Sequence, residues 1–305
     1  MPGRATVPDR LLDVPAGTAA TPRRPDRPAR RPLTAGGIVR RAVLIVLGVF
    51  WLIPVYLLLA NAAKTDDQYG FIDVWQPVGL GGLWSNIAAA WQKGNLADGV
   101  VSTAIYSLVS PAIAVLVGSG VGFAIVALRL RHGFAWFVVI FSATVIPVQM
   151  ILMPLFRGYV KFGLYDSRIG MIVVYTVLTI PFAAFVMRNF FTGIAREVFE
   201  AATVDGAGSL RTFARIYLPM SVSALLAVFI LQATLIWNDL LIGLTLTRSN
   251  DVRPVMTALV AMQSTYGGST MQVVLAGGLL VSLPTVVLFL LTQRTFTRGM
   301  ALGQF

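Results

Sequence analysis

EAATVDGAGSLRTFARIYLP, residues 200–219, is a polar, glycine-broken stretch wedged between two long apolar runs. Residues from Ile194 to Val204 favour helix, and Gly206 after Asp205 supplies the left-handed or flexible position that ends one. Ser209 is placed to cap a second helix on which Leu210, Phe213, Ala214 and Tyr217 fall at i, i+3, i+4 and i+7, one apolar stripe. Pro219 then stands at the entry to the next apolar helix, where its missing N–H does no harm. The expected product is a short helix, a sharp turn and an amphipathic helix lying along a membrane face. The alternative reading is an interfacial helix packed on the protein's own loops.

The membrane follows from composition. The chain is 56% hydrophobic and 12% charged with mean hydropathy +0.77, whereas a soluble domain carries about 25% charged residues. Uncharged runs lie between Arg41 and Lys64, Asp98 and Arg129, His132 and Arg157, Arg168 and Arg188, Arg215 and Asp239, and Arg253 and Arg294. Each is long enough to cross a hydrocarbon core that needs about 20 residues. The fold class is therefore all-α, a polytopic membrane protein with transmembrane helices predicted over residues 42–60, 101–128, 134–156, 169–188, 219–238 and 273–293. The last run is too long for one helix, and its polar part around Gln263, Ser264, Thr265, Gly267, Gly268 and Ser269 is assigned to an external loop.

Most of the 24 Lys and Arg fall on one side of these spans: the N-terminal tail, then Arg129, Arg131, Arg188, Arg196, Arg211, Arg215, Arg294 and Arg298. The positive-inside rule places both termini and the 200–219 segment in the cytoplasm. The net charge of +11 has the same origin and calls for no nucleic acid. Residues 1–37, rich in Pro, Arg, Ala and Gly with no apolar period, are expected to be a disordered cytoplasmic tail, with a permease domain over 38–305. Cysteine is absent, which excludes disulfides and thiolate metal sites.

Several chemistries lack their parts. One histidine, His132, serves neither a histidine metal cluster nor a histidine-dependent hydrolase. No G-x-x-x-x-G-K-[ST] phosphate loop precedes Lys64, Lys93 or Lys161, so the chain should not hydrolyse ATP. Gly118, Gly120 and Gly122 lie inside an apolar helix, where the small residues Gly118 and Gly122 permit close helix packing. The one acid near a span is Asp239, which leaves little for a proton or sodium relay. No catalytic and no metal-binding residue is expected, and energy for transport would enter through a partner.

At this point the residues carry a resemblance. Glu200, Ala201, Ala202, Asp205, Gly206, Ala207, Phe213, Ile216, Leu218 and Pro219 are similar, at every spacing, to the EAA loop of ATP-binding-cassette importer permeases. Ile180, Pro181, Phe182, Met187, Arg188, Asn189 and Phe190 before it, and Trp237, Asn238 and Asp239 after it, resemble the carbohydrate branch typified by the smaller maltose permease. Ile146, Pro147 and Gln149, then Pro154, Leu155 and Phe156, and Gly163, Leu164, Asp166 and Gly170 extend the likeness over about residues 40–305.

The resemblance implies a type I importer permease of six transmembrane helices with a cytoplasmic coupling helix in the EAA loop, residues 194–219. Glu200, Ala201, Ala202, Asp205, Gly206, Phe213, Ile216 and Pro219 are then the ATPase-coupling residues, with Phe213 and Ile216 filling apolar hollows of the ATPase, Glu200 meeting a basic or hydrogen-bonding group there, and Asp205 capping the turn. Gln149, Trp237 and Asn238 become candidates for the sugar path, since sugars are held by stacking aromatics and amides. Tyr266, Gly267 and Gly268 would form a loop tip reaching an extracytoplasmic sugar-binding protein. The implied partners are that protein, a second permease subunit, two copies of a cytoplasmic ATPase and membrane lipid. ATP and Mg would be used by the ATPase, with no cofactor on this chain. The place is a bacterial plasma membrane, and the activity is sugar import without covalent chemistry. The alternatives are a permease for a polyol or glycerol-phosphate substrate, or an ATP-independent facilitator or scaffold.

Overall fold

Helix α4 (Leu96–Val126) and helix α7 (Arg168–Thr192) form the central pair of the molecule. Small residues let their backbones meet. A Cβ on Gly118 would lie 2.7 Å from the Ala184 nitrogen, and one on Gly122 would lie 2.8 Å from the Arg188 nitrogen, while Gly120 faces open space. Gly118 and Gly122 thus form a helix-packing surface, as small residues provide in membranes.

The structure, a computed structural model, describes residues 35–263 and 268–301. The chain divides into two units, residues 1–52 and 53–305. Of the expected tail, residues 1–34 lie outside the described residues, and 35–37 begin helix α1 (Ala35–Ala62). The described elements are helical and include no strand among the described residues. Four helices are long and apolar enough to cross a membrane: Gly36–Ala62, Leu96–Val126, Arg168–Thr192 and Met271–Thr292, the last within α14 (Met271–Ala301). A fifth is a bent pair, Ser209–Met220 followed by α11 (Val222–Trp237).

The continuous third span expected over 134–156 is corrected. It is two helices, α5 (Gly133–Ser142) and α6 (Val148–Lys161), parted at Pro147. Proline pushes the residue before it out of the helical region, and Ser142 and Thr144 hydroxyls turn back on the carbonyls of Val139 and Phe141 (2.7 Å each), helping to close α5.

Two short helices precede α4: α2 (Asp66–Phe71) and α3 (Gly81–Lys93). The stretch that follows α2 is tied to the end of α1 by Lys64, whose fully buried ammonium donates to Asn61 Oδ1 (2.9 Å) and to the carbonyls of Asp73 (2.8 Å) and Ile72 (3.3 Å). Three acceptors answer its three donors, which is how a buried ammonium is tolerated.

Of the polar part assigned to an external loop, residues 264–267 lie outside the described residues and 268–270 are not helical, while the stretch before it is ordered. After α12 (Leu241–Leu246), residues 248–255 are clamped onto α4 and α7. The Ser102 and Tyr106 hydroxyls donate to the carbonyls of Asp251 (2.6 Å) and Val252 (2.8 Å), the Val255 N–H donates to Thr103 Oγ1 (2.8 Å), and the Arg168 guanidinium donates to the Asp251 carbonyl (2.9 Å). Asp166 accepts from the backbone N–H groups of Arg248 (2.8 Å) and Ser249 (3.0 Å) and from the Ser249 hydroxyl (2.7 Å). Helix α13 (Val255–Ala261) then buries Val255, Ala258 and Leu259 with Leu96, Val273 and Val274 in one core cluster. The polar sequence of this stretch concealed hydrogen bonds that are made inward, to other elements.

Candidate coupling segment and membrane cavity

Helix α8 (Arg196–Val204) ends in a paired turn: the Gly206 N–H donates to the Thr203 carbonyl (3.0 Å) and the Ala207 N–H to the Ala202 carbonyl (2.9 Å), with Gly206 left-handed at φ +76°. This pattern closes a helix when glycine follows its last residues. The turn forms as its glycine predicts, but the Asp205 carboxylate makes no hydrogen bond among the described residues, so the expectation that it caps the turn is corrected. Glu200 lies one turn from Arg196 and pairs with it at 2.6 Å. Both are well exposed, so the bond is readily exchanged for another partner.

Helix α9 (Ser209–Thr212) begins on Gly208, not on a Ser209 cap; the Gly208 carbonyl takes the Thr212 N–H at 3.0 Å. It passes into a π-helical turn, Phe213–Tyr217, in which the Leu218 N–H reaches the Phe213 carbonyl. The wider turn rotates the register, so the expected stripe of Leu210, Phe213, Ala214 and Tyr217 is split. Thr212 and Tyr217 are buried and Phe213 and Ile216 half-buried, whereas Leu210 is 79% exposed and Ala214 is exposed too. Phe213 and Ile216 therefore point into this chain's own core, against Phe123, Ala127, Met187 and Phe191. The outward apolar residues flanking the Gly206 turn are Val204, 87% exposed, and Leu210. Leu210 borders an open groove with Gly206, Gly208, Arg211, Ala214 and Arg215. The signal that could have found this arrangement, a π-turn, has no sequence signature, although Pro219 and Ser221 mark the break just after it.

Helix α10 (Leu218–Met220) carries Pro219, and the chain turns by 76° before α11. Fully buried Ser221 covers the exposed carbonyls: its N–H and hydroxyl reach Tyr217 (3.1 and 2.8 Å) and Leu218 (3.1 Å each). Such a serine can hold a helix bend where a proline donor is missing.

At the other end of α11, the proposed sugar-path residues do not meet in one site. Gln149 is exposed on the first turn of α6. The Asn238 amide folds back on the Thr234 carbonyl at 2.8 Å. The Trp237 indole donates to the Val281 carbonyl at 3.1 Å, three residues before Pro284, where the proline ring weakens the helical ladder of α14. Beside it lies a cavity of about 190 Å³ between α4, α11 and α14, lined by Ser107, Phe229, Thr234, Trp237, Thr285 and neighbouring apolar residues. The Thr285 hydroxyl is buried without a hydrogen-bond partner, and no residue of the lining is charged. Asp239 is not a free intramembrane carboxylate: it accepts from the Tyr175 hydroxyl (2.9 Å) and from the Ile242 and Gly243 N–H groups at the start of α12. Gly268 is left-handed at φ +59°, and Tyr266 and Gly267 lie outside the described residues.

Residues 114–300 match the family described as "Binding-protein-dependent transport system inner membrane component". The chain is 32% identical over 274 residues to the sn-glycerol-3-phosphate transport system permease protein UgpE of Yersinia pestis bv. Antiqua, covering 85% of this chain and 94% of that protein. It is 28% identical over 254 residues to the melibiose/raffinose/stachyose import permease protein MelC of Bacillus subtilis, covering 82% and 90%. Among solved structures, a chain of a bacterial ABC transporter involved in the import of the acidic polysaccharide alginate superposes with a TM-score of 0.71 at 21% identity, covering 87% of this chain and 97% of that one. The fold is therefore shared with an ABC importer, and the match reaches nearly the whole of that subunit.

Proposed function

This chain belongs to the family of binding-protein-dependent transport system inner membrane components, and on that premise we propose that it is one permease half-channel of an ATP-driven sugar importer. Both termini and the α8–α9 segment face the cytoplasm, where the segment docks on a separate ATPase. A second permease, a second ATPase copy and an extracytoplasmic binding protein complete the assembly. ATP and Mg are used by the ATPase, and this chain contributes positioning and motion with no covalent step.

The observation that carries the reading is the two-sided build of the EAA segment. Its outer side offers Val204 and Leu210 around a fixed glycine turn, while its inner side, through Phe213, Ile216 and Tyr217, is packed into the span pair α4–α7. Force applied at Leu210 therefore reaches the spans through packed side chains, and packed interfaces respond by discrete shifts instead of yielding smoothly. The roles of the eight coupling residues divide accordingly. Glu200 and Ala201 face outward, Gly206 sets the turn, Ala202, Phe213 and Ile216 tie the segment to the core, and Pro219 marks the bend. Asp205, exposed beside the turn, is free to meet the ATPase.

The substrate is read as a neutral mono- or oligosaccharide. Hydroxyls and an indole line the cavity beside Trp237 and no cation does, whereas a glycerol phosphate would call for a basic group in the path. Few polar groups converge there, so the partner permease supplies most of the substrate contacts. The test is accumulation of labelled sugars and of glycerol 3-phosphate in vesicles holding the complex purified through a tag on this chain. ATP-dependent uptake of a neutral sugar supports the reading. Uptake of glycerol phosphate alone overturns the substrate class, and uptake indifferent to ATP overturns the importer.

A further inference from the structure

We propose that helix α3 is an interfacial helix that seats Trp84 and Trp91 in the lipid headgroup layer of the assembled transporter. The helix is two-faced. Asn86 and Ala90 are buried, whereas Trp84 is 73% and Trp91 42% exposed, with exposed Ala88 between them. These three stand at i, i+4 and i+7, one stripe along the side away from the core. The covalent neighbours do not account for the stripe: neither indole is hydrogen-bonded to the chain among the described residues.

The depth of α3 comes from its two anchor points. Near its start, the Asn86 amide donates to the carbonyls of Ala62 (2.9 Å) and Lys64 (2.8 Å), and Gly82 lies so close to the Ala63 carbonyl that a Cβ would not fit. Ala62 is the last residue of the apolar helix α1, so this end of α3 is level with the end of a span. Near its finish, α3 packs on α14, where a Cβ on Gly277 would lie 3.2 Å from the Ala90 Cβ. Gly277 is six residues inside the span that begins at Met271, a depth of about 9 Å at 1.5 Å per residue. A helix held between the end of one span and about 9 Å within another lies in the boundary layer, since amphipathic helices settle about 5–10 Å into it.

The occupant follows from that depth and from the side chains. Tryptophan combines an apolar body with a polar N–H and is enriched at the headgroup level for that reason. The same layer holds exposed Trp75 and the exposed Tyr56, whose hydroxyl donates to the Trp75 carbonyl at 2.5 Å. Lys93 ends α3 exposed, Asp66 and Asp67 begin α2 exposed, and Asp66 accepts from the Gln272 amide at the start of α14, charges that a hydrated headgroup zone accommodates. α3 thereby pins the connection between the first two spans at one depth and fixes the outer limit of the α4 and α14 pair.

The experiment uses the complex purified through a tag on this chain and placed in phosphatidylcholine–phosphatidylglycerol vesicles carrying nitroxide-labelled lipids. The intrinsic fluorescence of the complex is compared with that of a Trp84→Phe/Trp91→Phe variant, and the difference between them is the signal of the two indoles. That difference signal is expected to be quenched more strongly by a nitroxide near the headgroup than by one near the chain terminus, and weakly by aqueous iodide. Quenching by iodide alone would place the stripe in water, and quenching by neither agent would place it against another subunit; either result overturns the proposal. Phenylalanine keeps the packing, and unchanged thermal unfolding of the variant confirms that the loss of signal is not a loss of fold.

Discussion

Phe123 of α4 meets Tyr217 of the π-turn edge to face, with ring centres 4.9 Å apart and planes at 75°. Phe213 closes on the same ring at 5.2 Å, and Phe191 of α7 approaches Tyr217 at 5.4 Å. Four rings thus join the coupling segment to both members of the central helix pair. Phe123→Ala should cost about 3–5 kcal/mol, as large aromatic truncations in packed cores do, and should reduce substrate-stimulated ATP hydrolysis more than basal hydrolysis. Thermal unfolding and hydrolysis assays on the purified complex check the two effects separately, and Phe123→Leu, which leaves a smaller gap than alanine, should restore part of the stability.

The glycine run of α4 makes a sharper contrast. Gly122→Ala puts a methyl 2.8 Å from the Arg188 nitrogen and Gly118→Ala puts one 2.7 Å from the Ala183 Cβ, while Gly120→Ala meets nothing within 4 Å. Overpacking of this kind costs about 1–3 kcal/mol. Unfolding temperatures in detergent should fall for the first two and hold for the third.

At the Gly206 turn space is open and the backbone is the constraint. Gly206→Val should strain the turn by about 1–2 kcal/mol, and Gly206→Asn, whose residue tolerates the left-handed region, should be milder. Coupled hydrolysis should follow the same order. Equal rates for the two variants would mean that the turn's geometry does not matter to coupling.

These elements differ in how far they could be read from residues alone. Uncharged runs and the EAA spacing led to the helical membrane fold, and Gly206 led to its turn, because length, hydropathy and φ preference act locally. The π-turn could not be foreseen, since the stripe of Leu210, Phe213, Ala214 and Tyr217 is a sound helical pattern until one extra residue per turn rotates it. The break at Pro147 was legible in principle, but an apolar run of the right length masked it. The order of residues 248–262 depends on Ser102, Thr103, Tyr106, Asp166 and Arg168, distant in sequence and brought there only by the fold. Arg168 stands in the sequence as the boundary of an apolar run and Asp166 as part of the family likeness, and their backbone partners carry no sequence signature.

Asp166 gives that clamp a pH dependence. Burial raises its carboxyl, but the N–H of Arg248, the hydroxyl and N–H of Ser249 and the Arg248 charge outweigh it and hold the group below its ordinary value. A lowered folded pKa means that the clamp's contribution is fully present above the ordinary carboxylate pKa, about 4, and is lost as pH falls through the lower folded value. Unfolding temperature should therefore be insensitive to Asp166 ionisation between pH 5 and 8 and should decline below about pH 4. Asp166→Asn, which keeps the left-handed backbone at φ +54°, should lower stability at neutral pH and flatten that decline.

In the proposed importer the outward side of the α8–α9 segment is the ATPase contact. The chain has no cysteine, so Leu210→Cys supplies a single thiol at its tip. Its labelling by a water-soluble maleimide can be timed in the isolated chain and in the ATP-hydrolysing complex. Rapid labelling of the isolated chain and strong protection in the complex are expected, and equal rates in the two would mean that the ATPase does not cover this side of the segment.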